Sequence, residues 1–294
     1  MTGSEEAFRL VHPGGVAKLP HVSVITPSFN QGAFLEATIR SVLDQGYPSL
    51  EYIIIDGGST DNSVEIIRAY SDKLTFWCSE KDSGQSSALN RGLRLAKGEF
   101  IGWLNSDDVY YPGSILTCVR QLLDHSDADI VFGNYDYINA SGSVVHRRRE
   151  IPYDFNTYFW TGTCYHANVA ALYRKSCFER FGYVREDLHY SMDYELYLRL
   201  GYNGCKFLQE DKPLGAYRLH NSSKTVSSYA RTLSEAESAR KEFFDMMRPS
   251  ALARHILPKY YVALRLIRKL FRGCYSVGNI RSLSVFAAIK RRNR

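Results

Sequence analysis

The chain has 294 residues, 45% hydrophobic and 23% charged, the composition of a globular protein with a sizeable core. No apolar stretch approaches the ~18–20 residues that span a bilayer, and the leading MTGSEEAFRL lacks the basic and apolar regions of a signal peptide, so neither a membrane-spanning nor a secreted protein is expected. The net charge of +6 belongs to the end of the chain: residues 251–294 hold eleven Lys/Arg and no Asp/Glu, whereas the first 250 carry 26 Lys/Arg against 31 Asp/Glu.

In chain order, residues 1–20, with Pro13-Gly14-Gly15 and Pro20, read as a loose lead-in. Val22–Thr26 is predicted as a first strand, followed by the loop Pro27-Ser28-Phe29-Asn30-Gln31-Gly32. Phe34, Leu35, Ile39, Val42 and Leu43 then recur at helical spacing until Gly46. Tyr52–Ile55 is a second buried strand ending in Asp56-Gly57-Gly58-Ser59-Thr60-Asp61, and Val64–Tyr70 a helix with Thr60 or Asp61 as N-cap. Leu74–Cys78 is a third strand, leading into Glu80–Gln85 and a helix over Ser86–Ala96. The fourth, Phe100–Leu104, is entered from a helix closed by Lys97-Gly98, and Pro112 begins the next helix. The six cysteines form no CxxC pair and read as small buried hydrophobes of a reducing compartment.

Strand and helix alternate four times, which predicts an α/β fold with a parallel sheet and helices on both faces. Ligands of such sheets bind at the carboxyl ends of the strands. The four post-strand loops should therefore line one crevice, and it is acidic. Asp107 and Asp108, adjacent at the end of a buried strand, are costly there unless something neutralises them. A divalent metal, Mn²⁺ or Mg²⁺, carrying a phosphate would do so. Asn105-Ser106-Asp107-Asp108 is also good turn chemistry, and taken alone these four residues favour a turn. A dinucleotide-binding first turn needs G-x-G-x-x-G; here it is P-S-F-N-Q-G, and no P-loop is present either.

Together, Val22–Asn30 (VSVITPSFN), Asp56–Asp61 (DGGSTD), Asp82–Gly92 (DSGQSSALNRG) and Asn105–Asp108 (NSDD) resemble, in order and across about residues 22–220, the motifs of family 2 glycosyltransferases. The resemblance implies a GT-A fold, a Rossmann-like, mostly parallel sheet flanked by helices. It also implies inverting, metal-dependent transfer from a nucleotide-diphospho-sugar, taken to be a UDP-sugar. In that family the equivalents of Pro27 and Asp56 hold the nucleoside, Ser28, Phe29 and Asn30 share the Pro27 loop, and Asp82 and Gln85 lie near the same nucleotide. The Asp-x-Asp-like segment, here Ser106, Asp107 and Asp108, takes the ribose and the metal-bound diphosphate. Asn105 departs from the family, which often has Asp there, and leaves open which of Asp107 and Asp108 binds the metal directly.

Past the strand Ile130–Asn134, Arg147-Arg148-Arg149 reads as a solvated strand edge or loop. His166, before the strand Val169–Tyr173, either faces an acceptor sugar or is a hydrogen-bonded structural histidine. On a helix within Tyr190–Gly201, Asp193, Leu196 and Leu200 share one face, while Glu195 and Arg199 form an i, i+4 pair suited to an exposed face. Asp193 is thus a helix cap or a catalytic base; the resemblance, whose acidic residue here is the general base, selects Asp193. Gly215–His220 is a further strand, where Arg218, His220 and the nearby Lys224 suit the negative charge of a leaving diphosphate. The family's Arg-x-His pattern implies that His220 closes over the metal.

These readings divide the chain into a lead-in (1–20), a GT-A domain (21–225) and a basic helical extension (226–294). In the extension Arg265, Arg268, Lys269 and Arg272 form one basic stripe, with Ala263, Ile267, Leu270 and Cys274 mostly opposite. This suggests attachment of residues 251–294 to the anionic cytoplasmic face of a membrane, near a glycan or lipid-linked acceptor. Packing of the apolar side on the catalytic domain is the alternative. Nucleic acid is not expected as a partner, since the stripe lacks interleaved aromatics. The rival to an enzyme is a non-catalytic nucleotide- or carbohydrate-binding module on the same fold, against which an inward Asp193 argues.

Overall fold

The computed structural model describes residues 11–12, 15–16, 19–221, 223–224 and 228–274. Val11–His12 (β1) and Gly15–Val16 (β2) pair as a short antiparallel ladder within the expected lead-in. A nine-stranded sheet organises the body of the chain. β3 (Val22–Ser28), β4 (Leu50–Asp56), β5 (Phe76–Ser79) and β6 (Phe100–Trp103) run parallel. They are joined by α1 (Gly32–Leu43), α2 (Ser63–Ala69) and α3 (Gln85–Leu95). Their order in the sheet is β5-β4-β3-β6: the chain builds outward from β3, then returns to its other side. The crevice between the carboxyl ends of β3 and β6 is therefore a topological switch point.

Both faces of β3, β4 and β6 are covered, which is why they read as nearly continuous apolar runs, whereas the edge strand β5 leaves Phe76 exposed. Alternate residues serve opposite cores. Val22, Val24, Tyr52 and Ile54 pack with Leu35, Ile39 and Val42 of α1. Ile25, Ile53 and Ile55 pack with Ala88, Leu89 and Leu93 of α3.

The second half is mixed. It comprises β7 (Val109–Tyr110), α4 (Ser114–Asp124), β8 (Ile130–Ile138), β9 (Val144–Arg148), α5 (Phe155–Thr161), β10 (Ala171–Arg174), α6 (Ser176–Phe181), α7 (Met192–Tyr202) and β11 (Phe207–Arg218). β10 inserts antiparallel between β6 and β8, and β11 runs parallel to β8. Three local expectations change here. The helix after β6 begins at Ser114 rather than Pro112, because Val109–Tyr110 pair with β11 first and Gly113 takes a left-handed turn at φ 76°. β11 starts eight residues before the expected Gly215; irregular register between Glu210 and Gly215, with charged Glu210-Asp211-Lys212 inside it, hid the strand. Gly98 is no left-handed cap. A Cβ there would lie 2.4 Å from the Ser23 nitrogen, so close backbone approach is what requires glycine.

α8 (Tyr229–Met247) buries Ala239 and Phe243 in the core shared with α5 and α7. α9 (Ala251–Phe271) lies along α5, and its orientation reverses the expected one. The basic stripe faces inward: Lys269 Nζ bonds Glu150 at 2.8 Å, Arg265 reaches Glu150 at 3.6 Å, Arg268 reaches Asp154 at 3.9 Å, and Arg272 pairs with Asp211. The side left to solvent is apolar: Leu252, Ile256, Tyr260, Leu266, Ile267 and Leu270 are all about half exposed or more, and Phe271 is 88% exposed. No described helix is long and apolar enough to cross a membrane.

Candidate active site

Four loops follow the four parallel strands and brace one another. The loop after β3 turns at Asn30, which adopts φ 51° and accepts the Thr60 N–H at 2.8 Å. Gly32 N–H, opening α1, donates to Asp61 at 2.9 Å, and Ser63 N–H donates to the same carboxylate at 3.0 Å. Asp61 thus serves both helix starts, although the residue flanking α2 is Asn62. After β4, Asp56 is fully buried; it accepts Gly58 N–H (3.1 Å), Ser59 N–H (2.8 Å), Ser59 Oγ–H (2.5 Å) and Ser79 Oγ–H (2.7 Å). These four bonds fold the Gly57-Gly58 loop over the strand end. Gly57 lies against Asp82 of the third loop, where a Cβ would sit 3.0 Å from both carboxylate oxygens. Burial pushes the Asp82 carboxyl up, opposed by the Gly84 N–H at 2.8 Å and helped by the charge of Asp56.

The fourth loop carries the acidic pair, whose members differ. Asp108 is buried; it accepts Arg218 N–H at 2.9 Å and Asn105 Nδ2–H at 3.3 Å. Burial, with Asp107 beside it, raises its pKa well above the usual carboxylate range. Asn105 is suited to this place as an amide, because its oxygen accepts Gln85 Nε2–H and Trp103 Nε1–H, both at 2.8 Å, while its nitrogen donates to Asp108. A carboxylate there could not donate and would add like charge. Asp107 lines the cleft and lies 3.0 Å from His220 Nε2. The His220 ring packs on Phe34, with centroids 4.5 Å apart.

Arg218 does not offer its guanidinium to the cleft. Nε donates to the Asp107 carbonyl at 2.7 Å, Nη1 to the carbonyls of Asn139 (3.1 Å) and Ala140 (3.3 Å), and the group lies over the Phe34 ring. It ties the acidic loop to the end of β8. Two cations do line the cleft, Lys81 and Lys224. Lys224 Nζ donates to Gln85 Oε1 at 3.0 Å and to the His189 carbonyl at 3.1 Å.

The enclosed space is about 620 Å³, the size of a small-molecule site. Of the expected residues, Pro27, Ser28, Phe29, Asp82, Gln85 and Asp107 line it, with Phe29 59% exposed at its mouth. Asp56, Ser106, Asp108, Arg218 and His220 stand behind that lining, and Asn30 is exposed next to Phe29. Sequence reasoning left out Gln31, Lys81, Tyr217 and, as a lining residue, Lys224. The first two lie inside the loops already singled out; the last two arrive only through the pairing of β11 with β8, which has no local signature.

Asp193 opens α7, outside the cleft lining but four residues from His189, which Lys224 grips. Burial raises its carboxyl to about 6, against the pull of the Tyr194 N–H at 2.8 Å. Glu195 corrects the expected solvated face: it is 3% exposed and pairs with Arg199 at 2.8 Å. Arg199 also donates to the carbonyls of Phe181, Gly182 (2.8 Å) and Tyr183 (2.8 Å), so the pair pins the α6–α7 connection instead of facing water. His166 is a core residue, bonded to Tyr158 Oη at 2.8 Å and lowered to about 4 by burial.

A carboxylate and an imidazole 3.0 Å apart at the edge of this cleft fit Mn²⁺ or Mg²⁺, with phosphate oxygens and water completing the shell. Among the described residues one other group of donors, Asp129, Cys177 and Cys205, lies at the amino end of β8, at the opposite end of the strands from the cleft.

The model of "Glycosyl transferase family 2" matches residues 23–182, more than half of the chain. The chain belongs to glycosyl transferase family 2. An uncharacterized glycosyltransferase of Rickettsia typhi is 31% identical over 188 residues, 61% of this chain and 58% of that relative, so this chain spans under two thirds of its length. Two solved structures share the GT-A fold. TarS 1-349 of S. aureus in complex with UDP-GlcNAc has a TM-score of 0.61 at 19% identity, over 90% of this chain and 76% of that one. The mannosyltransferase PcManGT of Pyrobaculum calidifontis, in complex with GDP-Man and Mn²⁺, has a TM-score of 0.61 at 17% identity, over 92% and 81%.

Arg218→Lys keeps the charge but cannot span three carbonyls. It should cost about 1–3 kcal/mol in denaturant unfolding; unchanged stability would show that these bonds do not hold the loop.

Proposed function

We propose that the chain transfers a sugar, with inversion, from a nucleotide-diphospho-sugar, specifically a UDP-sugar, to a hydroxyl of a glycan or lipid-linked glycan. The observation that carries the reading is the Asp107–His220 pair beside a 620 Å³ cleft at the switch point of the sheet. Pro27, Ser28 and exposed Phe29 receive the nucleoside, with Phe29 offering a face to the base. Asp82 and Gln85 border the same nucleotide, while Asp56 and Asn30 act by shaping the loops. Asp107 and His220 would hold the divalent ion, which when bound neutralises charge on the departing diphosphate. Lys224 adds a cation on the same wall. Asp193 accepts the proton of the acceptor hydroxyl as the hydroxyl oxygen bonds to the anomeric carbon and the bond from that carbon to the phosphate oxygen breaks. At about 6, its pKa leaves it ionised at neutral pH and basic enough to serve.

On this reading the enzyme sits on the cytoplasmic face of a membrane, with the outward apolar side of α9 in the headgroup boundary. Supporting this are the exposed stripe from Leu252 to Phe271, the exposed Lys259 beside it, and five further Lys/Arg without an acid in residues 275–294. Because Arg265, Arg268, Lys269 and Arg272 are engaged with Glu150, Asp154 and Asp211, the apolar side carries most of the helix's share of binding, and Lys259 with the later basic residues carries the salt-dependent share.

Each of these roles has a measurable consequence. Asp107→Asn, or EDTA, should remove transfer and weaken UDP binding measured by calorimetry; equal transfer in EDTA would contradict the metal assignment. Asp193→Asn should lower kcat by roughly 10²–10⁴ with donor KM little changed. In the wild type kcat/KM should rise with pH through about 6, since the base works deprotonated and protonation below that value removes it. A flat profile with an active Asn variant would overturn the role. Ile256→Ser/Ile267→Ser/Leu270→Ser should fold normally and lose most binding in sedimentation with anionic liposomes at high salt. Unchanged sedimentation, or a wild-type dimer that the variant dissociates, would assign that face elsewhere.

A further inference from the structure

We propose that Glu235, on α8, is a positioning residue for Asp193: it clamps the backbone that opens α7 and so sets where the catalytic carboxylate stands. The proposal rests on the reading of Asp193 as the base. Three consecutive peptide N–H groups converge on this one side chain. His189 N–H donates to Oε1 at 2.8 Å, and Tyr190 and Ser191 N–H donate to Oε2 at 2.5 and 2.6 Å. Ser191 Oγ–H meanwhile donates to the Thr232 carbonyl, one turn earlier on α8, at 2.8 Å. Ser191 is the residue flanking the start of α7, yet its hydroxyl makes no cap to that helix. The usual local cap is replaced by a carboxylate 44 residues away in the chain.

The clamped segment joins two parts of the site. On one side the His189 carbonyl accepts from Lys224, which also holds Gln85 at the cleft. On the other, Asp193 is the second residue of α7, two positions past the last clamped N–H. Releasing the clamp would leave three amides without their partner, Ser191 among them being only 2% exposed, and free the turn that aims Asp193. A displacement of the order of 1 Å at a reacting group costs about 10²-fold in rate.

The clamp also has an electrical side. The titratable groups around Asp193 are Glu235 on α8, Cys164 before β10, Tyr173 on β10 and Tyr197 on α7. Among them Glu235 supplies the negative charge that adds to burial in keeping the Asp193 proton on. Removing that charge lets Asp193 ionise more easily, so the acid limb of kcat/KM moves to lower pH.

The test compares Glu235→Gln, Glu235→Asp, Asp193→Asn and the Glu235→Gln/Asp193→Asn pair in the full chain, with UDP-sugar turnover, donor KM and pH profiles. Glu235→Gln should lower kcat by roughly 10–100-fold, leave donor KM within twofold, and shift the acid limb downward. Glu235→Asp keeps the charge on a shorter arm, so kcat should fall while the limb stays. The double variant should lose little beyond Asp193→Asn, because both act through one carboxylate. Wild-type kcat in a folded Glu235→Gln overturns the clamp. So does a loss in both Glu235 variants that adds in full to that of Asp193→Asn, since a merely structural contact would behave that way. An active Asp193→Asn instead sinks the base reading, whatever Glu235 does.

Discussion

Placing a carboxylate inside the protein at the carboxyl end of β6 is the constraint on which the rest of the site depends. Asp108 is 1% exposed, and a carboxylate so placed is tolerated only if hydrogen bonded from several sides. One partner is distant in the chain, the backbone of Arg218 at the end of β11; the other, the Asn105 amide three residues away, is itself held by Trp103 and Gln85. The Arg218 guanidinium then grips the Asp107 carbonyl and the β8–β9 turn. Satisfying the buried acid therefore docks the mixed half of the sheet onto the parallel half. Its neighbour, Asp107, is left at the cleft beside His220. One acid of the pair is held inside and the other is presented to the cleft.

The parallel half was legible because its physics is local. Runs such as Ile53-Ile54-Ile55 announce a strand covered on both faces, and the loops after them follow from strand direction alone. What was not legible depends on pairing at long range. Nothing in Glu210-Asp211-Lys212 marks the middle of a strand, since register with β8 decides it. Tyr217 and Lys224 reach the cleft for the same reason. Glu195 shows a different limit. An i, i+4 Glu–Arg pair usually means a wet helix face, but Arg199 has three carbonyls of the 181–183 turn to satisfy, and that need draws the pair inside.

The helical extension carries the sharpest reversal. Amphipathicity alone could not tell which side of α9 faces the protein. The body is acidic, and Glu150, 2% exposed and held below the usual carboxylate range, against the cost of burial, by Arg148, Lys269 and Arg265, needed cations more than the core needed another apolar face. The basic stripe therefore turned inward and the apolar side outward. α8, between them, buries Ala239 and Phe243 and reaches the start of α7, so the extension is continuous with the half of the molecule that holds Asp193.

On the proposed function, Asp107 and His220, rather than Asp108, hold the ion that accompanies a nucleotide diphosphate at the β3/β6 switch point. Anomalous diffraction from a crystal grown with UDP and Mn²⁺ measures this directly. One manganese peak should be bonded to the Asp107 carboxylate and the His220 imidazole, with diphosphate oxygens in its shell and the base beside Phe29. A peak on Asp108, or UDP bound in the cleft with no ion at Asp107, would contradict it.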